Sequence, residues 1–276
     1  MSIFSFLKNK LISYDKETNL LNLMIKKNNN FQEIFNSNIF SKILRTQAKE
    51  IFYKKSNVLV LAPHPDDEVI GCGGSIEILQ DKKSKIQIIY MTNGVPKKKK
   101  NYLEEKMTRK KEAINLNNTK NYQTPIFFDL ETRKIELGYN NKILELKKII
   151  GEFKPDIIFV PFLIDRVEDH VSTNKLLYST LEDLYYDNCE IFSYQISNFI
   201  KLNSYVNITE VFSNKVQMMK FYKSVLKKTN YINFFKGLNL YNNFYVKDRS
   251  KEQEQFYEVF LNQSVKEYLN ICKIVF

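Results

Sequence analysis

The sequence predicts an α/β fold, a Rossmann-like doubly wound, mostly parallel sheet with helices on both faces. Three observations predict it. Short apolar runs recur at 57–62, 86–91, 125–128, 156–161 and 190–195. Stretches of helical periodicity separate most of these runs, and such alternation makes parallel strands joined by crossover helices. Clusters of His and Asp follow directly on two of the strands, at the carboxyl ends where open α/β sheets place their ligand crevice.

The chain divides into an N-terminal helical extension, 1–55, and a main domain, 56–276. In the extension, Phe4, Leu7 and Leu11, then Leu20, Leu21 and Met24, fall at helical spacings, and Asn28-Asn29-Asn30 breaks the pattern. These short amphipathic helices are expected to pack on the domain or on a partner subunit of a homo-oligomer. The basic, amphipathic start, Ile3 to Lys10, also suits peripheral contact with a membrane surface.

The main domain opens with Val58-Leu59-Val60-Leu61-Ala62, a strand. The turn Pro63-His64-Pro65-Asp66-Asp67-Glu68 follows, and Gly71-Cys72-Gly73-Gly74 lies within a helix over 68–81. That glycine run lacks the spacing and the lysine of a phosphate loop, so its glycines are expected to let the backbone approach the site. Ile86 to Met91 is the second strand, ending in Thr92-Asn93-Gly94. The basic run Lys97-Lys98-Lys99-Lys100 lies on the strand-end side, where it is placed to attract an anionic substrate. A helix over 102–117, a strand at Pro125-Ile126-Phe127-Phe128 and an amphipathic helix at 142–150 come next. The strand 156–161 leads into Asp165-Arg166-Val167-Glu168-Asp169-His170 and a further helix. Glu190 to Gln195 and Val206 to Thr209 are extended, and a helix is expected from about Ser213 to Val225.

One imidazole and two carboxylates within four positions can hold a cation and a base together. A divalent ion such as zinc takes imidazole nitrogen and carboxylate oxygen at roughly 2.0–2.2 Å. Adjacent residues of a turn point different ways, so His64 and Asp67 can share one ion while Asp66 faces a water and takes its proton. An Asp-Asp turn alone only caps a helix; His64, the strand before it and the glycines after it favour the metal. The chain has two histidines. His170 also follows an apolar strand and stands beside acids, so His64, Asp67 and His170 read as one ligand set with open positions.

At these residues the sequence resembles the PIG-L/LmbE-like N-deacetylases, which hydrolyse the acetamide of N-acetylglucosamine-type sugars with zinc. The His-Pro-Asp-Asp-Glu motif is present unchanged, and the likeness runs from about Asn57 to about Phe256. It implies that His64, Asp67 and His170 bind the metal, with Asp66 as general base. It makes Asp169 the acid that tunes that base and the second histidine. Arg109, in an R-x-x-E with Glu112, stands where the family has a sugar-contacting arginine, and Asn93 stands in a T-N-G where the family has T-D-G. Lys215 and Tyr222 resemble a K…Y helix. One position departs: Val167 replaces the first histidine of the family's second motif, which helps hold the tetrahedral intermediate and move a proton. The adjacent Arg166 is placed to supply positive charge to an oxyanion, though a guanidinium is a poor proton donor. The implied substrate is an acetamido sugar, on a nucleotide, a lipid or another carrier, in surface glycan or glycoconjugate synthesis. The rivals are a metal amidase acting on a non-sugar amide and a catalytically weakened binding protein.

Composition bounds the rest. The 276 residues carry 43% hydrophobic residues, enough for a large core. Three scattered cysteines provide no disulfide framework, which suits the cytoplasm. No apolar run reaches the roughly 20 residues of a membrane span. The net charge of +11 suits an anionic partner, but no nucleic-acid motif is present, so nucleic acid is not expected.

Overall fold

The computed structural model describes residues 48–184, 186–196, 203–245 and 254–276. The amphipathic helices expected before residue 48 lie outside these residues. Within the segment assigned to the helical extension, Lys49–Glu50 is a short strand, β1, pairing in parallel with Ser204–Asn207, β7.

The remaining elements follow the expected alternation. They are β2 (Asn57–Ala62), α1 (Asp67–Asp81), β3 (Lys85–Thr92), α2 (Tyr102–Thr119), β4 (Ile126–Leu130), α3 (Asn140–Phe153), β5 (Ile157–Pro161), α4 (Glu168–Glu182) and β6 (Glu190–Tyr194). After β7 come α5 (Phe212–Met219), α6 (Lys223–Leu226), α7 (Tyr231–Tyr241), β8 (Tyr257–Ser264) and α8 (Val265–Val275). The sheet runs β1-β7-β8-β6-β5-β2-β3-β4. All its pairings are parallel except those of β8, which inserts antiparallel between β6 and β7. The single helix expected from Ser213 to Val225 is two, α5 and α6, with a turn between them.

Both sheet faces are covered, which is why the strands read as continuous apolar runs rather than alternating ones. Val58, Val60, Ile88 and Phe159 face a core built with α1 and α5, while Leu59, Leu61, Ile158 and Val160 face one built with α3, α4 and α8. The chain leaves β2 towards β3 and β4 on one side, then returns to build β5 and β6 on the other. The carboxyl ends of β2 and β5 therefore flank the switch point, where two neighbouring loops diverge and open a crevice.

Helix α1 is broken at Cys72, whose φ of −143° is not helical. The break frees a carbonyl on one side and amides on the other. Lys215 Nζ donates to Ile70 O at 2.9 Å, and Glu258 accepts from Gly74 N and Ser75 N at 2.8 Å each. Lys215 and Glu258 pair at 2.7 Å, both fully buried, so one ion pair closes both ends of the break. The glycines of α1 serve this packing, not an approach to the site. A Cβ on Gly71 would lie 2.2 Å from the Tyr194 ring, and one on Gly74 would lie 2.7 Å from Ile208.

Candidate metal centre and active site

His64, Asp66 and Asp67 occupy the tight turn between β2 and α1, and His170 sits in the first turn of α4, just past β5. Two sequence positions 106 apart thus meet at the switch point, their rings 5.6 Å between centroids. His64 Nδ1 lies 3.0 Å from Asp67 Oδ2, and His170 Nε2 lies 3.4 Å from the same oxygen. Three ligands on one ion with bonds of about 2.1 Å stand roughly 3.4 Å apart in a tetrahedron. One donor atom from each of His64, Asp67 and His170 lies within 4.8 Å of the other two.

The outward nitrogen of each imidazole meets its own carboxylate. His64 Nε2 lies 2.9 Å from Asp169 Oδ2, and His170 Nδ1 lies 3.3 Å from Asp165 Oδ2. A carboxylate behind each imidazole fixes its tautomer and aims its free lone pair inward, the arrangement that supports metal ligands. This reassigns one expectation: Asp169 faces the first histidine, and Asp165 faces the second. Asp169 Oδ2 also accepts from Arg133 N at 2.8 Å, tying the loop after β4 to the site.

The electrostatics also fit a cation. Burial alone would lower the His64 imidazole, but Asp67 and Asp169 overcome it and raise it to about 9. Burial is likewise outweighed at His170, where Asp67 and Asp165 raise the imidazole to about 10. Asp67 is held well below the ordinary carboxylate range, since the two imidazoles outweigh its desolvation. Without a metal the cluster draws in protons; the donor set and its charge both fit a divalent ion that would displace them.

Asp66 behaves differently from Asp67. Burial pushes its carboxyl up to about 7, the Arg109 guanidinium opposes the rise, and Asp67 adds to it. Arg109 Nη2 lies 4.0 Å from Asp66 Oδ2. The backbone of Asp66 is strained, with φ at 131°, a region L-residues avoid. Glu68 steadies it by accepting from Asp66 N at 3.1 Å. Glu68 is itself fully buried and pushed up to about 8 by desolvation, with Tyr222 and Tyr90 donating to its other oxygen. The last acid of the motif is therefore a scaffold for the turn.

Other expected site residues separate into those at the cluster and those away from it. Arg109 reaches Asp66, while Glu112 turns away and accepts from Ser224 N and Oγ at 2.8 and 2.6 Å. Asn93 closes its own turn, accepting from Val95 N at 2.9 Å, and its amide nitrogen faces Tyr102. Arg166 is exposed and makes no ion pair with the cluster among the described residues, so Arg109 is the guanidinium at the site. Val167 is half-buried at the N-terminus of α4, its amide donating to Asp165 Oδ1 at 2.9 Å. Tyr231, at the start of α7, escaped the sequence reading. It is half-buried, and its phenol is raised by burial and then by the charges of Asp66 and Asp67. Only tertiary packing brings α7 to the site, and no local motif marks it.

Comparison with known proteins agrees with this geometry. The family model PIG-L, GlcNAc-PI de-N-acetylase, matches residues 59–181. Among solved structures, the N,N'-diacetylchitobiose deacetylase from Pyrococcus horikoshii is 21% identical with a TM-score of 0.62, covering 86% of this chain and 94% of that one. GalB, the 4-carboxy-2-hydroxymuconate hydratase from Pseudomonas putida KT2440, is 13% identical with a TM-score of 0.61, covering 75% and 95%. The zinc-inhibited form of teicoplanin deacetylase Orf2 is 12% identical with a TM-score of 0.55, covering 75% and 98%. At these identities the structures share a fold with this chain. The motif turn and the second histidine both lie inside the segment, residues 59–181, that the PIG-L family model matches.

Proposed function

We propose that this protein is a metal-dependent hydrolase that removes the N-acetyl group from an acetamido sugar of the N-acetylglucosamine type. The observation that carries the reading is the His64, Asp67 and His170 cluster with Asp66 beside it, inside the matched family segment. Two of the solved structures that share the fold are named as deacetylases, which supports the reaction class. The sugar conjugate belongs to surface glycan or glycoconjugate synthesis.

His64, Asp67 and His170 hold the ion, with Asp169 and Asp165 orienting the two imidazoles. Zinc or another divalent ion supplies Lewis-acid polarisation of the amide carbonyl and of a water when bound. Asp66 takes the proton of the attacking water, as a carboxylate in hydrogen-bond reach does. The tetrahedral carbon then loses its amine, and Asp66 returns the proton to that nitrogen, leaving acetate and a free amino sugar. Arg109 opposes the rise that burial imposes on Asp66, favouring its anion before attack, and is placed to meet the incoming sugar. With valine at 167, no second imidazole shares the proton transfers, so Asp66 carries both.

Val167 also favours a second reading, a scaffold that binds the sugar and turns it over slowly or not at all. An acetate-release screen over acetamido sugars, run with metal content measured on the same sample, separates the two. Release that depends on the bound metal supports the hydrolase. A fully loaded protein that releases no acetate from any sugar, yet binds one, overturns it.

A further inference from the structure

The outer face of α2 bears a feature the proposed reaction does not use. Leu103 and Met107 stand one turn apart and are 71% and 72% exposed. Residues four apart share a helix face, and Lys111 continues this one.

The surroundings are basic in a particular way. Glu105, Asp129 and Glu131 are each held between two lysines: Lys99 and Lys228, Lys106 and Lys110, Lys97 and Lys134. Six lysines thus answer three acids. Lys98, Lys100 and Lys111 have no ion-pair partner among the described residues, and Glu104 is the one acid of this rim outside these pairs. The surface is attached to the site. Its loop follows Gly94, where an added Cβ would lie 2.0 Å from Arg109 Nη1 and 3.2 Å from His64 Cβ. The same helix sends Arg109 inward to Asp66.

We infer that α2 and the loop of Lys97 to Lys100 dock on an anionic lipid bilayer, with Leu103 and Met107 entering the headgroup layer. Exposed apolar side chains within a surplus of lysines are what such a surface binds. Docking would set the rim of the site against the bilayer, and it does not depend on the deacetylase reading.

Vesicle cosedimentation of the full chain tests it. The full chain is expected to bind phosphatidylcholine vesicles that contain phosphatidylglycerol, not phosphatidylcholine alone, and to release as salt rises. The pair Lys98→Glu/Lys100→Glu is expected to weaken partitioning at least about tenfold, since each lysine contributes about fivefold. Leu103→Asp/Met107→Asp should do the same. Leu137→Asp/Leu144→Asp, at sites 81% and 77% exposed elsewhere, should leave it unchanged. No binding at low salt, or α2 variants that bind like the parent, overturns the docking surface and leaves a protein partner as its occupant. Acetate release from a soluble sugar is measured alongside. It should survive in both docking-surface variants, and its absence in the metal-loaded parent for every acetamido sugar tried, soluble or lipid-borne, would sink the hydrolase while leaving the docking result intact.

Discussion

Asp66 combines the two properties that make a functional residue expensive: a strained backbone and a buried charge. A φ of 131° costs on the order of 1–3 kcal/mol for any residue with a Cβ. Glycine escapes that cost and loses about 0.5–1 kcal/mol to greater freedom in the unfolded chain. Asp66→Gly is therefore expected to be about 1 kcal/mol more stable than Asp66→Ala in urea unfolding. Both should lose acetate release by on the order of 10²–10⁴ while keeping the metal. Full activity in either would remove Asp66 as the base. Position 167 invites the converse change. Val167→His restores an imidazole at the start of α4 and should raise turnover by on the order of tenfold. An unchanged rate would mean that Asp66 alone already meets the demand.

At the scale of elements, the break in α1 is held by a single buried ion pair. Lys215 satisfies a carbonyl released by the break and Glu258 satisfies two amides. Removing one member leaves the other charge buried without its partner, which typically costs about 3–5 kcal/mol. Lys215→Met should therefore unfold at distinctly lower denaturant. Adding Glu258→Gln, which still accepts a hydrogen bond without a charge, should recover part of the loss. A double variant no more stable than Lys215→Met would argue against the ion pair as the clasp. The sequence shows the lysine and the glycines, but β8 and its glutamate come some 185 residues later, beyond the reach of any local pattern.

For the whole molecule, metal occupancy and folding are linked. An ion held by His64, Asp67 and His170 would bind the assembled loops of β2 and β5 and not the unfolded chain, so saturation should raise stability by about 2.7 kcal/mol at a hundredfold excess over Kd. A chelator should lower Tm and abolish acetate release together. His64 and His170 must surrender protons to offer lone pairs, and both imidazoles are raised by neighbouring carboxylates. Affinity should accordingly increase with pH, and calorimetry in buffers of different ionisation enthalpy should show proton release on binding. pH-independent affinity would place the ion elsewhere.

The sequence by itself determined the class of fold and marked the residues of the candidate centre. Periodicity is local, and His64, Asp66 and Asp67 lie within one turn, so both are written in neighbouring residues. It also marked Val167, because a missing side chain is visible without coordinates. Only the tertiary structure decided which acid backs which histidine, that Arg109 and not Arg166 reaches Asp66, and that Asn93 turns its side-chain oxygen to its own turn. His64 and Asp169 stand 105 residues apart, and Arg109 comes to Asp66 from another helix, so these partners meet through sheet order and helix packing, which no local pattern encodes. Asp165 with His170 and Asn93 with Val95 are near in sequence, but the rotamers that pair them are set by the packing around each turn.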